Sequence, residues 1–514
     1  MAFLNGLMSA GSFGYYDISV SAPSGDLWAT LILNVFNFIT NYGWRVVLFT
    51  FILKILLSPA DIFQKISMRK QQKVQAKLAP VFEKIDKQFA HDQRTAMQKK
   101  QEMQKKMGAG INPLVSCLPT ILTLVIFITL FNSLQNIGAY KNLTQYVDLY
   151  NEYQNITHCV EVDLTKDDIV YGPYLIKTGI PQDPGAEATE QEKKAYLDNL
   201  AKYNERSEEY EKYYVKGLEK YVSSLVSTEE NPNAIKEAYE LVDINEYKDA
   251  KDFVLTHVYK PQDPTNPAED EKIELRAFST FVGQEAVYKL YGETMEGFLW
   301  IKNIWAVDAM WTAPVNDYTT FSTNIRHNVN SGTSCGCNCT CNCTPPIEEN
   351  MSFNKELVDF WKEKDPDAVN TLKKAEKEAL LGKEMYGNVV GALRKDDYYS
   401  TANGYLILPL LSIALALINQ IVTSIQQKRS GQQLNGQSGL TMKIMMWTMP
   451  VMIGFFAFMN VAAFALYLVV SYLVTLLVSL VMMFIYHIMD KKMDDDDFVH
   501  TYGRPNFNKD QNSK

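Results

Sequence analysis

The stretch NYGWRVVLFTFILKILLSPADIFQKISMRK (41–70) decides how the chain is read. Its first two thirds have the composition of a membrane-crossing helix, with Lys54 as the exception. Arg45 lies nine residues before Lys54 and Lys65 eleven after it. At the rise of a helix, those separations are about 14 and 17 Å. With Arg45 at one interface and Lys65 at the other, Lys54 falls near mid-membrane. An ammonium there costs at least about 2.5–3.5 kcal/mol unless water or a partner receives it. Lys54 is therefore either part of a functional polar site, or a side chain that snorkels to the headgroups past Leu57, where the dense apolar run ends.

The chain has 514 residues and a net charge of −9, unevenly spread. Apolar runs cluster at 31–57, 113–137, 404–425 and 444–489, and the region between the second and third is charged and Tyr-rich. The last run is too long for one helix and carries Pro450 and a break at Asn460, so it reads as two spans. The fold class expected is an all-α polytopic membrane protein with five spans: 44–62, 113–137, 404–424 and two within 444–489. Residues 60–112 hold twelve Lys/Arg against five acidic residues, and the 425–443 loop adds Lys428, Arg429 and Lys443. The positive-inside rule puts both segments in the cytoplasm, with the N-terminus outside and the C-terminus inside. No cleavable signal peptide is evident at the start.

Residues 1–43 are expected outside, where DLWATLILNVFNFI (26–39) repeats Leu27, Leu31, Ile32, Val35, Phe36 and Ile39 at helical spacing. That pattern predicts an interfacial helix. Residues 63–112 read as a basic helical hairpin turning near Ala90–Asp92. Its second arm carries Met97, Met103 and Met107, which either pack the hairpin or form an adaptable apolar face. Residues 138–297 read as a mainly helical extracytoplasmic insertion, 316–403 as a second one, and 490–514 as a polar tail. Neither a metal-ligand cluster, a phosphate loop nor a nucleophile motif is found in the first insertion, no cofactor is expected, and nothing points to nucleic acid. Cys335, Cys337, Cys339, Cys341 and Cys343 could form an oxidised loop with one thiol spare or paired to Cys159, bind a soft metal, or be a flexible tract.

An ordered series of segments resembles the YidC-type membrane protein insertases, the family shared by bacteria, mitochondria and chloroplasts. NYGWRVVLFTFILKILLSP resembles the first core helix, and Lys54 stands at the position of its intramembrane arginine. INPLVSCLPTILTLVIFITLF resembles the second. FLWIKNIWAVD (298–308) resembles the short extracytoplasmic motif, placed here at 298–315. YLILPLLSIALALINQ, MKIMMWTMPVMIGFFAF and FALYLVVSYLVTLL resemble the remaining three helices. Together these cover about half the chain.

The resemblance implies five helices around a hydrophilic groove, open to cytoplasm and lipid, that receives the short and often acidic extracytoplasmic tails of clients near Lys54. Tyr467 and Thr50 are the next groove candidates. Nascent membrane proteins and the lipid bilayer are the implied partners, with a translocation channel and the ribosome as further ones, in a bacterial plasma membrane. No catalytic residue is implied. Two features depart from the family. Lysine keeps the charge of arginine but lacks its bidentate fork, and the tail lacks the dense basic run that some relatives use to hold ribosomes. A transporter would be expected to show inverted repeats, which are not visible here. A membrane-anchored receptor would place its function in the insertion.

The topology is tested by labelling Ser67→Cys, which is expected to react from the cytoplasmic side alone. Labelling from outside intact cells would reverse the orientation.

Overall fold

The computed structural model describes residues 17–89, 91–106, 113–165, 183–186, 188–225, 232–263, 266–326, 350–353, 358–359, 362, 366–367, 369–429, 447–448, 452 and 454–492. The chain is an all-α membrane protein whose one described sheet is a pair of two-residue strands. It divides into two compact units, Met1–Asn41 with Gln135–Gly404, and Tyr42–Leu134 with Tyr405–Lys514. The cysteines at 335–343, Met107 and the tail beyond Lys492 lie outside the described residues.

The second unit contains the apolar helices. Helix α2 (Tyr42–Gln88) runs without a break from the first span into the first arm of the basic hairpin. Pro59 sits inside it and cannot donate to the carbonyl four residues back. That carbonyl, Ile55 O, instead receives the Ser58 hydroxyl at 2.8 Å. A turn at 89–92 leads to α3 (Gln93–Lys106). Asp92 caps α3 by accepting from the N–H groups of Arg94 and Thr95, both at 3.1 Å. Hydrogen bonds from Thr95 hold the Asp92 carboxyl below the usual carboxylate range. Leu78, Ile85 and Ala96 are buried in the hairpin, and Lys100 pairs with Asp86 across it.

The helix α4 (Pro113–Thr165) holds an apolar stretch within Ile121–Thr165, long enough to cross a membrane, and the boundary between the units falls within it. Helices α13 (Ile407–Arg429) and α14 (Ala462–Lys492) supply two further spans. Of the five spans expected, four are thus described as long apolar helices. The fourth in sequence order lies largely outside the described residues, and 454–458 are helical. The chain bends at 459–460, where the Asn460 amide donates to Phe456 O and closes the preceding turn.

The first unit is built on tyrosine. It comprises β1 (Ser19–Val20), α1 (Leu27–Thr30), the C-terminal part of α4, and α5 (Glu190–Ser224), α6 (Pro232–Glu240), α7 (Tyr247–Phe253) and α8 (Glu269–Thr294). It continues with α9 (Tyr318–Arg326), β2 (Met351–Ser352), α10 (Val369–Leu380), α11 (Lys383–Lys395) and α12 (Asp397–Ser400). Thus the residues read as two insertions and the intervening motif share one unit with the N-terminal segment. β1 pairs antiparallel with β2, and Asn151 clamps the same segment by exchanging hydrogen bonds with the backbone of Ile18.

A partner stabilises a buried tyrosine hydroxyl, and three here reach backbone carbonyls, while those of Tyr214 and Tyr259 are buried with none among the described residues. Tyr146 donates to Leu380 O at 2.6 Å and Tyr318 to Leu381 O at 3.2 Å, so both serve the end of α10. Tyr386 donates to Asn316 O at 2.7 Å, and burial pushes its hydroxyl pKa up. The lead-in, expected to be helical, is helical over Leu27–Thr30 and Leu31–Val35. α1 passes at Leu31 into a π-helical turn, Leu31–Val35. Ile32 and Leu33 are buried there, while Leu27 and Val35 are exposed.

Helices α5 and α8 approach closely because a glycine sits at the crossing. A Cβ at Gly217 would lie 2.7 Å from Val282 Cα. Gly217→Ala is expected to destabilise the first unit by about 1–3 kcal/mol, the cost of overpacking a filled core. Thermal unfolding of the full chain measures it, and an unchanged midpoint would contradict the close packing.

Candidate functional site

Five polar side chains follow one line along α2: Thr50, Lys54, Ser58, Asp61 and Lys65. At 3.6 residues per turn they fall within an arc of about 80°. The residues beside them, Phe51, Ile52, Ile55, Leu56 and Phe63, are exposed and apolar, as lipid-facing positions require. Lys54 is half-buried and makes neither a hydrogen bond nor an ion pair among the described residues. Asp61 lies two turns after Lys54 and one turn before Lys65, so its charge acts on both ammonium groups.

Helix α14 packs against both α2 and α13. Its own polar line is Ser471, Thr475 and Ser479, each buried or half-buried. Ser479 is the junction of the three helices. Its hydroxyl accepts from Lys65 Nζ at 2.6 Å and donates to Thr475 O at 2.8 Å. Its carbonyl accepts from Gln426 Nε2 at 3.2 Å. Two turns nearer the middle of α13, Asn419 donates to Tyr472 O at 2.9 Å. Asn419 Oδ1 and Gln420 Nε2 are buried and have no partner among the described residues. An orphaned buried polar group costs about 1–3 kcal/mol, so this seam suits water or a polar visitor better than dry packing.

The structure brings Thr50 and Lys54 to one face, but Thr50 is fully buried and spends its hydroxyl on Val46 O at 2.6 Å. Tyr467 is 5% exposed, with its ring against Phe464 and its hydroxyl beside Ser471. Phe464 in turn meets Phe127 and Phe131 of α4 edge-on. Met97 is 69% exposed on the hairpin, so it does not pack the hairpin interior, and Met103 is half-buried. Arg45 is buried under the Tyr42 ring, its guanidinium carbon 4.0 Å from the centroid.

The sequence profile of the family described as 60Kd inner membrane protein matches residues 34–181, which contain α2, α3 and the apolar part of α4. The membrane protein insertase YidC of Leptospira interrogans is 29% identical over 168 residues, 32% of this chain and 23% of the relative. The Oceanobacillus iheyensis YidC is 30% identical over 105 residues, 20% of this chain and 40% of that one. The chloroplast inner membrane ALBINO3-like protein 1 of Chlamydomonas reinhardtii is 37% identical over 103 residues, 19% of each chain. Residues 34–181 thus match this family, and the chain is similar to YidC-type insertases over part of its length. It spans less than half the length of each of these relatives. No solved structure matches it significantly.

In this chain, sequence reasoning singled out Lys54 but missed Asp61, Ser479, Asn419, Gln420 and Gln426, and took Lys65 only as an interface marker. The signal was available. Polar residues recur at intervals of three and four along 50–65, 419–426 and 471–479, in apolar surroundings.

Ser479→Ala removes the hydroxyl that receives Lys65 while leaving the Gln426 contact to the backbone. It is expected to lower stability in detergent by about 1–3 kcal/mol, because the Lys65 ammonium loses its acceptor. Lys65→Met in the same background should then cost little more. Additive losses in this double-mutant cycle would show that the two groups do not interact.

Proposed function

We propose that the chain is a membrane protein insertase whose polar seam receives the short extracytoplasmic tails of client proteins and releases their apolar segments into lipid. The observation that carries this reading is Lys54, a half-buried cation on a polar stripe of an otherwise apolar helix, with no hydrogen bond or ion pair among the described residues. A carboxylate of a client tail at 4 Å from Lys54 gains about 4 kcal/mol of Coulomb attraction at an effective dielectric of 20, before desolvation. The orphaned amide atoms of Asn419 and Gln420 offer further hydrogen bonds to water or to client backbone. The exposed apolar flanks of α2, α4 and α14 present the client with a lipid-like surface on which to leave the seam. No bond is made or broken in this cycle, so binding energy and hydration do the work.

The proposed setting is a bacterial plasma membrane, N-terminus outside and C-terminus in the cytoplasm. The hairpin of α2 and α3 then faces the cytoplasm, where Met97 and Met103 form an adaptable surface for apolar nascent segments and the basic residues suit a ribosome or translocation channel. Thr50 shapes the seam by packing. Tyr467 anchors the aromatic cluster beside it.

The test compares one client with acidic and with neutralised tails in cells whose own insertase is depleted. Lys54→Ala is expected to impair the acidic client selectively, and Lys54→Arg to restore it. Equal insertion of the acidic client by wild type and Lys54→Ala, at matched expression, would overturn the electrostatic role.

A further inference from the structure

The motif at 298–315 exposes large apolar side chains in a way that its own folding does not require. Phe298 and Ile301 are buried and bridge each other through two backbone hydrogen bonds of 2.9 and 3.0 Å. Leu299 and Trp300 form the turn between them. Leu299 is the first turn residue, has φ +55° and is 71% exposed. A two-residue hairpin turn with positive φ only at its first position is a glycine site. A leucine there is strained, and its side chain points into the surroundings, not the core. A second turn, at Met310–Trp311, follows the fully buried Asp308 and Ala309, with Met310 57% and Trp311 71% exposed.

Both turns are held rigidly from below. Asn403 accepts from Asn303 N–H at 2.7 Å and donates to the carbonyls of Asn303 and Val307 at 2.9 and 3.0 Å. Its own N–H donates to Thr312 O at 2.7 Å, and its carbonyl accepts from Lys302 N–H at 3.1 Å. Asn303 donates to Pro314 O at 2.9 Å. Gly404 has no room for a side chain, since a Cβ there would lie 1.9 Å from Asp308 Oδ1. Asn41 donates to Gly297 O at 2.9 Å. The motif is thus tied to two residues that lie just before apolar helices in the chain. Asn41 directly precedes α2, and Asn403 lies four residues before α13. Both helices are membrane-crossing by length and composition. Phe38, three residues before Asn41, is 75% exposed as well.

We propose that Leu299, Met310 and Trp311 form a lipid anchor that inserts into the headgroup–acyl boundary of the leaflet where α2 and α13 begin. The occupant is lipid because the loop is bonded to the chain at the entry of two spans, where aromatic and long apolar side chains are stable at a water–hydrocarbon boundary. The strain at Leu299 is the cost of presenting an apolar side chain from the tip of a turn. Lys302 takes no part in headgroup binding, because its ammonium is engaged by Tyr398 O and Thr401 Oγ1 at 2.6 and 2.7 Å.

The experiment uses the full chain in phosphatidylcholine–phosphatidylglycerol vesicles containing a lipid with a photoactivated carbene precursor in its acyl chain. Mass spectrometry of the peptides is expected to place the label on Leu299 and on Met310–Trp311. Leu299→Asn tolerates positive φ without an apolar side chain. It should therefore lose the label at position 299 while keeping or raising the unfolding midpoint. Trp311→Ser should lose the label at its own turn with the midpoint unchanged. Label from a water-soluble carbene reagent alone, or in-cell crosslinks from position 311 to another protein in place of lipid, would overturn the proposal. A lowered midpoint with lipid labelling retained in Leu299→Asn would do the same, by showing a structural role. None of these readouts depends on insertase activity.

Discussion

A polar side chain inside a hydrocarbon layer must find its partner within the protein or bring water with it, and the apolar unit is organised by that constraint. Ser479 is where it is met most fully. One residue on α14 receives an ammonium from α2, receives an amide from α13 at its carbonyl, and returns its own proton to the turn before it. Removing any of these partners leaves another buried polar group exposed to a medium that cannot hydrogen-bond. The same logic explains Ser58, which supplies the donor that Pro59 withholds from Ile55.

Where the constraint is not met, function is expected. Lys54, Asn419 Oδ1 and Gln420 Nε2 are left without protein partners among the described residues. These groups lie on helices whose other faces are apolar. A charged site that binds by hydration and Coulomb attraction, without a fixed geometry, is compatible with clients of many sequences. Lysine fits that role because it acts as a point charge on a flexible stem.

The tyrosine-rich unit meets the rule in part and by different means, since the hydroxyls of Tyr214 and Tyr259 stay buried with no partner among the described residues. Rings of Tyr146, Phe321 and Tyr386 pack within about 5 Å of one another. The hydroxyls of Tyr146 and Tyr386 leave the cluster to reach carbonyls at helix ends and loops. Asn303 and Asn403 replace regular backbone pairing in the motif, because a loop with buried carbonyls needs side-chain donors to close it.

The all-α class, the long apolar runs and the lone lysine were legible in the sequence, because hydrophobic length and a charge within it are local properties of composition. The family was legible for the same reason, since its segments are contiguous and ordered. The hairpin turn near 90–92 followed from a local cap, Asp92. The continuity of α2 through Pro59 was not legible, since it depends on one serine hydroxyl choosing Ile55 O. Nor was the π-helical turn at Leu31–Val35 that continues the lead-in helix, where Ile32 and Leu33 are buried while Leu27 and Val35 are exposed. Tertiary structure alone decided that Lys65 meets Ser479 across 414 residues and that Asn403 closes a loop a hundred residues earlier. Hydrogen bonds between distant segments leave no periodic trace in either strand of sequence, and only the packed helices bring their partners within reach.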